Sequence, residues 1–189
     1  MKIIGLSGRM RSGKTTVAEF LRDNDTGYIF GFSWCIKELV YDYFVNCTIG
    51  DLDKQDTKEL LHDCGLKYRT ILQRVGSYFR DMWPDIWVEK WKEKVLDGTG
   101  WPSRIVIVPD VRFPNEVKAI QDMGGIVIRL TRNPVNSDDE TETALDGFVD
   151  GDNRVGEKYF DYVISNHALT INQTNAICLK IAKEYINEP

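Results

Sequence analysis

The most constraining feature of the sequence is an eight-residue segment, Gly-Arg-Met-Arg-Ser-Gly-Lys-Thr at 8–15, between an apolar stretch and a helical one. Residues 2–6 (KIIGL) are predicted to form a short strand, and residues 14–22 repeat apolar side chains at helical spacing. The order is therefore strand, glycine-containing loop and helix. Glycine at both ends of the loop permits backbone conformations and close approaches that a side chain would obstruct.

The segment at 8–15 fits the pattern G-x-x-x-x-G-K-[ST] at every fixed position. In such a loop, successive backbone N–H groups converge on an anion, and the helix that follows adds the positive end of its dipole. Lys14 is expected to reach the β- and γ-phosphates of a nucleoside triphosphate, and the Thr15 hydroxyl to bind Mg²⁺. For Arg11, a solvent-facing position is an equal alternative. The residues predicted to contact the nucleotide are Gly8, Arg11, Ser12, Gly13, Lys14, Thr15 and Thr16.

Apolar runs after the loop predict further strands. Continuous runs at 104–109 and 126–130 are typical of strands buried on both faces, and shorter runs at 28–32 and 161–165 predict two more. Stretches with helical periodicity separate these runs. This alternation predicts an α/β fold of the phosphate-loop NTPase type, with three layers and a mostly parallel five-stranded sheet.

The spacing of these elements predicts one domain with two additions. The core is predicted at 1–32, 104–132 and 160–189, a helical acceptor-binding insertion at about 33–98, and a lid at about 133–153. The lid segment is polar, with seven acidic residues and neither Lys nor Arg. Its simplest interpretation is a solvated loop whose negative charges repel one another.

Composition argues against several classes of protein. With 42% hydrophobic and 28% charged residues, the 189-residue chain is expected to fold as a soluble globule, and no apolar run nears the ~20 residues that cross a bilayer. A net charge of −5 disfavours a surface for nucleic-acid polymers. The cysteines match no metal-binding spacing and are expected to be free thiols in the cytoplasm.

The loop alone predicts nucleotide binding and does not predict a reaction. Motifs that the sequence lacks argue against two classes of nucleotide-binding protein. The sequence lacks the N-K-x-D guanine signature of GTPases and the L-S-G-G-Q signature of transporter ATPases. A small kinase is the best remaining class, because such enzymes gather positive charge from several segments around the transferred phosphoryl group.

Candidate catalytic residues follow two of the predicted strands. Asp110 stands at the carboxyl end of the strand at 104–109, where open α/β sheets bind ligands, and Arg112 lies two residues further on. Asp110 would hold the water shell of Mg²⁺ or orient the acceptor. The alternatives are a turn aspartate and, for Arg112, a surface ion pair. Glu116 would orient Arg112 or cap the next helix. Arg132, at the start of the lid, would close on the phosphates unless it is an ordinary solvated arginine.

The predicted insertion carries a polar helix face. Four side chains recur at spacings of 4, 4 and 3 and therefore share one side of a helix: Arg69, Gln73, Ser77 and Arg80. Two arginines, an amide and a hydroxyl suit a phosphate and the edge of a base. An ordinary solvated face is the alternative, although such a face usually also carries Glu and Lys.

Three segments resemble the deoxynucleoside monophosphate kinases of bacteriophages, a branch of the nucleoside monophosphate kinases. They are GLSGRMRSGKTTVAEFL at 5–21, LQRVGSYFRDMWPDIWV at 72–88 and PDVRFPNEVKAIQDMGGIVIRLTR at 109–132. The second is similar to that family's L-Q-x-x-G-[ST] pattern, which an arginine follows, and the third to its D-x-R-F-x-N-E pattern. One departure falls in the lid, where Asp139 replaces the histidine of the family's H-x-S-E element.

The resemblance implies that Mg-ATP is the phosphoryl donor and a deoxynucleoside monophosphate the acceptor. It also implies a homodimer. The residues that it places at the acceptor are Gln73, Ser77 and Arg80, with Ser33, Lys37, Arg69 and Glu142 as further candidate contacts. The residues that it places near the transferred phosphate are Asp110, Arg112 and Arg132, and it places Asn166 near the donor's adenine.

Two alternatives stay open. A protein of the same fold could phosphorylate another small acceptor such as dephospho-coenzyme A, or it could bind a nucleotide as a switch without turning over an acceptor. The arginines expected around the loop and the intact Lys14–Thr15 pair favour an enzyme over a switch.

Overall fold

A computed structural model of the chain describes residues 1–24, 27–44, 48–97, 105–132, 143–145 and 159–187. The strands in these ranges are β1 (Lys2–Ser7), β2 (Tyr28–Ile29), β3 (Ile105–Val111), β4 (Ile126–Leu130) and β5 (Tyr162–Ile164). The α-helices are α1 (Lys14–Asp23), α2 (Ser33–Phe44), α3 (Gln55–Glu59), α4 (Tyr68–Met82), α5 (Ile86–Asp97), α6 (Pro114–Asp122) and α7 (Ile171–Asn187). A 3₁₀ helix spans Ile49–Asp53.

The five strands form one sheet in the order β2-β3-β1-β4-β5, and every neighbouring pair is parallel. β1 is the central strand, and Ile4 pairs with Ile107 on one side and Ile126 on the other. The chain crosses from one side of β1 to the other between β3 and β4, so the carboxyl end of β1 lies at the topological switch point where such sheets bind ligands. The predicted α/β fold with five parallel strands is confirmed.

Helices cover both faces of the sheet. On one face, Ile4 and Leu6 of β1 pack with Val17 and Leu21 of α1 and with the buried residues of α7. On the other face, a β-carbon at Gly5 would lie 2.8 Å from Ile120 of α6, so glycine permits a close approach of β1 and α6. Burial of each aliphatic side chain contributes about 1.5–3 kcal/mol to the free energy of folding, so packing in these two layers stabilises the sheet.

The chain divides into two compact units. The first comprises residues 1–31 and 99–189, and the second comprises residues 32–98. The first contains the sheet with α1, α6 and α7, and the second contains α2 to α5. The second unit has its own buried cluster, formed by Val40, Leu52, Tyr68 and Ile71. Within this unit, the Trp87 indole N–H also donates to the Gly76 carbonyl at 2.9 Å, which ties α5 to α4.

Two strand ends differ from the prediction by two residues or more. β2 is predicted at 28–32 but ends at Ile29, and at Gly31 the chain passes so close to Asp110 that a β-carbon would overlap the Asp110 carboxylate. β3 extends to Val111, two residues beyond the predicted end, so Asp110 lies inside the strand. The lid predicted at about 133–153 lies outside the described residues except for 143–145. None of the described helices combines the length and apolar character needed to cross a membrane.

Candidate functional site

The phosphate loop has the backbone conformation that its glycines make possible. Gly8 and Gly13 adopt positive φ angles of 146° and 105°. A β-carbon at Gly8 would lie 2.7 Å from the Leu130 carbonyl oxygen, so the entrance of the loop passes directly against the end of β4. Arg11 also adopts a positive φ, 61°, and its side chain is exposed. The loop therefore contains three left-handed residues and turns tightly enough for its N–H groups to converge.

Lys14 braces this loop from inside. Its side chain is only 8% exposed, and its ammonium group donates to the Gly8 carbonyl and, at 2.8 Å, to the Arg9 carbonyl. The Ser12 N–H donates to the same Arg9 carbonyl at 3.1 Å. Because α1 begins at Lys14 and has no acidic residue in its first turn, the positive end of its dipole is not offset there. The loop thus combines a fixed ammonium group with a helix N-terminus.

Asn166, which follows β5, is buried beneath the loop. Its side chain is 1% exposed, and its amide nitrogen donates to the Ser12 carbonyl at 2.9 Å. Its amide oxygen accepts from the backbone N–H of Arg132 at 2.8 Å. The predicted contact between Asn166 and adenine stays a prediction, but both ends of the side chain are engaged within the protein.

Arg132 lies against the segment after β5. Its guanidinium donates twice to the Asn166 carbonyl, at 2.7 and 3.1 Å, and once to the Leu169 carbonyl, at 2.6 Å. The side chain is half-buried. In this conformation, Arg132 joins the end of β4 to the segment after β5, and its predicted contact with the transferred phosphate is untested.

Arg129 is a further candidate site residue, which was not predicted from the sequence. It lies in β4, is only 5% exposed, and donates to the Ser7 hydroxyl at 3.0 Å. Ser7 is itself fully buried and immediately precedes Gly8. The guanidinium also lies 5.6 Å from the centre of the Phe160 ring. One signal could have revealed it: an arginine inside the apolar run at 126–130 needs buried partners.

Asp110 is placed by an irregularity in β3. Pro109 has no N–H to donate, and the pairing of β1 with β3 shifts here, since Gly5 pairs with Val108 but Ser7 pairs with Val111. Asp110 lies inside this irregular stretch and is the second-to-last residue of β3. Its carboxylate lies against the backbone of Gly31, where a side chain would collide with it. The local backbone therefore sets the direction of this carboxylate.

Glu116 caps the start of α6. Its carboxylate is buried and accepts from the backbone N–H groups of Arg112 and Phe113, at 2.6 and 3.0 Å. These bonds hold the turn between β3 and α6 from which Arg112 extends. Burial and then the negative charge of Glu116 raise the pKa of Tyr159 above its usual range, so this phenol stays neutral.

The two residues predicted to bind Mg²⁺, Thr15 and Asp110, both offer oxygen atoms. Thr15 is exposed in the first turn of α1, and Asp110 is half-buried. The described part of the chain holds no cluster of three or more His, Cys, Asp or Glu side chains that could bind a metal. Since Mg²⁺ usually keeps waters and shares substrate phosphates, one hydroxyl and one carboxylate suit an ion that arrives with a nucleotide.

The four residues predicted to face the acceptor lie on α4, in the second unit. Gln73 and Ser77 are exposed, and Arg69 and Arg80 are half-buried. Arg69 donates to Glu59 at 2.7 Å, and Lys67 donates to the same carboxylate at 2.9 Å. The Arg69 hydrogen bond, followed by the Lys67 hydrogen bond, lowers the pKa of Glu59.

Three further residues predicted to contact the acceptor lie outside α4. Ser33 begins α2 and is half-buried. Lys37 of the same helix forms a hydrogen-bonded ion pair with Asp53. Glu142 lies outside the described residues. Like those on α4, these contacts stay predictions.

Comparison with known proteins adds one relative. No protein-family model matches the chain. The chain is similar to a protein of Acanthamoeba polyphaga mimivirus that bears the provisional name deoxynucleotide monophosphate kinase. The two sequences are 29% identical over 187 residues, which cover 87% of this chain and 95% of the relative. This similarity supports a nucleotide kinase in coarse terms, with small-molecule substrates and use of ATP.

Proposed function

We propose that this protein transfers the terminal phosphoryl group of ATP to a deoxynucleoside monophosphate, giving a deoxynucleoside diphosphate and ADP. The observation that carries the proposal is the phosphate loop at the switch point of a parallel sheet, braced by Lys14. The name of the mimivirus relative supports the choice of acceptor. A loop of this kind binds triphosphates in many proteins, so the acceptor rests on that similarity and on the polar face of α4.

The reaction needs little covalent chemistry from the protein. A phosphate oxygen of the acceptor attacks the γ-phosphorus of ATP, the bond from this phosphorus to the β–γ bridging oxygen breaks, and ADP leaves. The attacking oxygen belongs to an ionised phosphate, so no strong general base is required. Catalysis then depends on alignment and on positive charge near the γ-phosphoryl oxygens.

Residues of the first unit would supply that charge and alignment. Lys14 and Arg112 would face the developing charge on the phosphoryl oxygens, with Arg132 as a further candidate. Thr15 and Asp110 would hold Mg²⁺, which supplies charge neutralisation on the phosphates when bound. The loop N–H groups and the start of α1 would bind the β-phosphate.

Residues of the second unit would bind the acceptor. Arg80 and Arg69 carry the positive charge suited to a monophosphate, and Gln73 offers an amide that can pair with the edge of a base. Ser77 adds a hydroxyl on the same helix face. Arg69 already contacts Glu59, so an acceptor phosphate would compete with that carboxylate for it.

The direct test is ADP production from Mg-ATP with each deoxynucleoside monophosphate in turn. Ribonucleoside monophosphates and dephospho-coenzyme A are the comparison acceptors, and ATP alone is the blank. We expect turnover with one or more deoxynucleotides that exceeds turnover with the comparison acceptors. ATP binding with no turnover on any deoxynucleotide would refute the proposal. Turnover on dephospho-coenzyme A alone would reassign the acceptor.

A further inference from the structure

Asn166 has an environment that suits a positioning residue better than a base contact. Its side chain is 1% exposed, its nitrogen donates to Ser12 and its oxygen accepts from Arg132. An asparagine that reads adenine must present its amide to the ligand. Here the carbonyl of Ser12 requires a donor and the N–H of Arg132 requires an acceptor, so the two neighbours also determine which way the amide points.

The hydrogen bond from the Asn166 side chain reaches the peptide unit between Ser12 and Gly13. The carbonyl of Ser12 and the N–H of Gly13 belong to one planar trans peptide, in which the two groups point in opposite directions. Holding the carbonyl toward Asn166 therefore directs the Gly13 N–H to the other side of the chain. This N–H is one of the loop donors expected to face phosphate.

The neighbouring peptides are held by other bonds, since the Ser12 N–H donates to the Arg9 carbonyl and the Gly13 carbonyl accepts from the Val17 N–H, but neither bond reaches the Ser12 carbonyl itself. Gly13 has a φ of 105° and no side chain, and a β-carbon there would touch nothing within 4 Å. The Ser12 hydroxyl is buried but forms no hydrogen bond within the described part of the chain. The hydrogen bond from the Asn166 side chain, 154 positions away in sequence, is therefore the anchor that the structure shows for this carbonyl.

Arg132 anchors Asn166 in turn. Its backbone N–H holds the amide oxygen, while its guanidinium holds the backbone carbonyl of Asn166 from the other side. The bond to Leu169 extends this attachment over the segment between β5 and α7. Side chain and backbone of Asn166 are thus both held by one residue.

We infer that Asn166 is a positioning residue that sets the orientation of the Ser12–Gly13 peptide for binding polyphosphate, with Arg132 as its anchor. The inference rests on the proposed function only in assuming that the loop binds a polyphosphate, and it requires no particular acceptor. It differs from a contact with adenine, because it makes Asn166 act on the phosphates through the loop.

Binding of two ligands distinguishes these roles. Titration calorimetry would measure the Kd of ATP and of inorganic tripolyphosphate, which has no base, for the wild-type chain and for Asn166→Ala. We expect Asn166→Ala to weaken both ligands by the same factor, about tenfold, since it leaves the Ser12 carbonyl without its donor. A loss for ATP with tripolyphosphate unchanged would overturn the inference in favour of an adenine contact. Unchanged affinity for both ligands, or a wild-type chain that binds neither, would also overturn it.

Two further variants guard against a general loss of folding. Asn166→Asp keeps an acceptor for Arg132 but removes the donor to Ser12 and adds negative charge, so it should weaken both ligands at least as much as Asn166→Ala. Gln173→Ala removes an exposed amide that caps Thr170 nearby, and should leave both affinities unchanged. Equal losses in all three variants would point to damage of the whole segment and overturn the inference. The acceptor assay is separate, so failure of the proposed function and of this inference are distinguishable.

Discussion

The phosphate loop and the polar face of α4 are both predicted binding surfaces, yet they are built differently. In the loop, the buried Lys14 ammonium group bonds to the loop's own carbonyls, and the Ser12 carbonyl accepts from Asn166, 154 positions away. On α4, Gln73 and Ser77 are exposed, and the Arg69 guanidinium is held by an ion pair with Glu59 at the surface. The loop groups are therefore bonded within the protein, whereas Arg69 would have to exchange Glu59 for an acceptor.

This difference has a physical consequence for mutations. A preformed site loses both ligand affinity and internal bonding when a buried polar group is removed, because its partners are left unsatisfied. An exposed site loses only the contact with its ligand, since water replaces the missing group. We therefore expect loop variants to act on kcat and on the affinity for ATP, and α4 variants to act on the KM of the acceptor.

The largest effect is expected for Lys14→Met. The ammonium group both braces the Gly8 and Arg9 carbonyls and supplies charge to the phosphates, so kcat should fall by about 10²–10³-fold. Steady-state ADP production measures this. Lys183→Met, which removes an exposed lysine on α7, is the matched control and should behave as wild type. If Lys14→Met kept more than a tenth of wild-type turnover, the loop would have another role.

A smaller but still large effect is expected for Gly31→Ala. The new β-carbon would overlap the Asp110 carboxylate, and displacing a catalytic group by about 1 Å can lower kcat by about a hundredfold. Turnover at saturating ATP and acceptor tests this, with thermal unfolding as the check on folding. Gly50→Ala is the control, because its nearest neighbour would be Thr48 at 3.9 Å. Normal turnover by both Gly31→Ala and Asp110→Asn would remove Asp110 from the catalytic set.

An effect confined to the acceptor is expected for Arg80→Ala. Loss of one charged hydrogen bond to the acceptor phosphate should raise its KM by about 10–100-fold, while the Kd of ATP stays within twofold. Initial rates at varied acceptor concentration, with calorimetry for ATP, separate the two. Arg74→Ala lies on the exposed side of the same helix and serves as the control. An equal loss of ATP affinity would contradict the division of roles between the two regions.

The smallest effect is expected for Glu59→Gln. Hydrogen bonds from Arg69 and then Lys67 lower the pKa of Glu59 below 4.5 in the folded chain. Its ionised form therefore stabilises the fold above pH 4.5, and the stabilisation is lost as pH falls through the folded-state pKa. The variant should lower Tm at pH 7 by at most about 3 °C, and the difference should shrink below pH 4.5. A difference that grows in acid would contradict the sign of this pKa shift.

The sequence predicted the parts that depend on local patterns. The order of strand, loop and helix at the N-terminus, the buried strands and the five-stranded parallel sheet are confirmed. The predicted end of β2 was wrong, and the close approach of Gly31 to Asp110, 79 positions further along the chain, leaves no local pattern in the sequence. The candidate residues stay predictions as ligands, and the structure adds where their side chains are held.

Contacts between distant segments escaped the sequence analysis. Asn166 bonds to Ser12 across 154 positions, and Arg129 bonds to Ser7 across 122. Neither pair leaves a spacing pattern, since parallel strands bring distant segments together at one edge of the sheet. The lone arginine within an apolar strand was the available signal for the second pair, and the first pair had none.

The sequence by itself determined the conformation of the loop at 8–15, because glycine at fixed spacing permits that local backbone, and with lysine and threonine it predicts the ligand. It also determined the fold class, because buried parallel strands need continuous apolar runs separated by helices. Only the tertiary structure decided how the loop is held: Lys14 on its carbonyls, Asn166 beneath Ser12, and Asp110 against Gly31. These contacts follow from how helices and strands pack, and a buried polar group takes whichever partner that packing brings within reach.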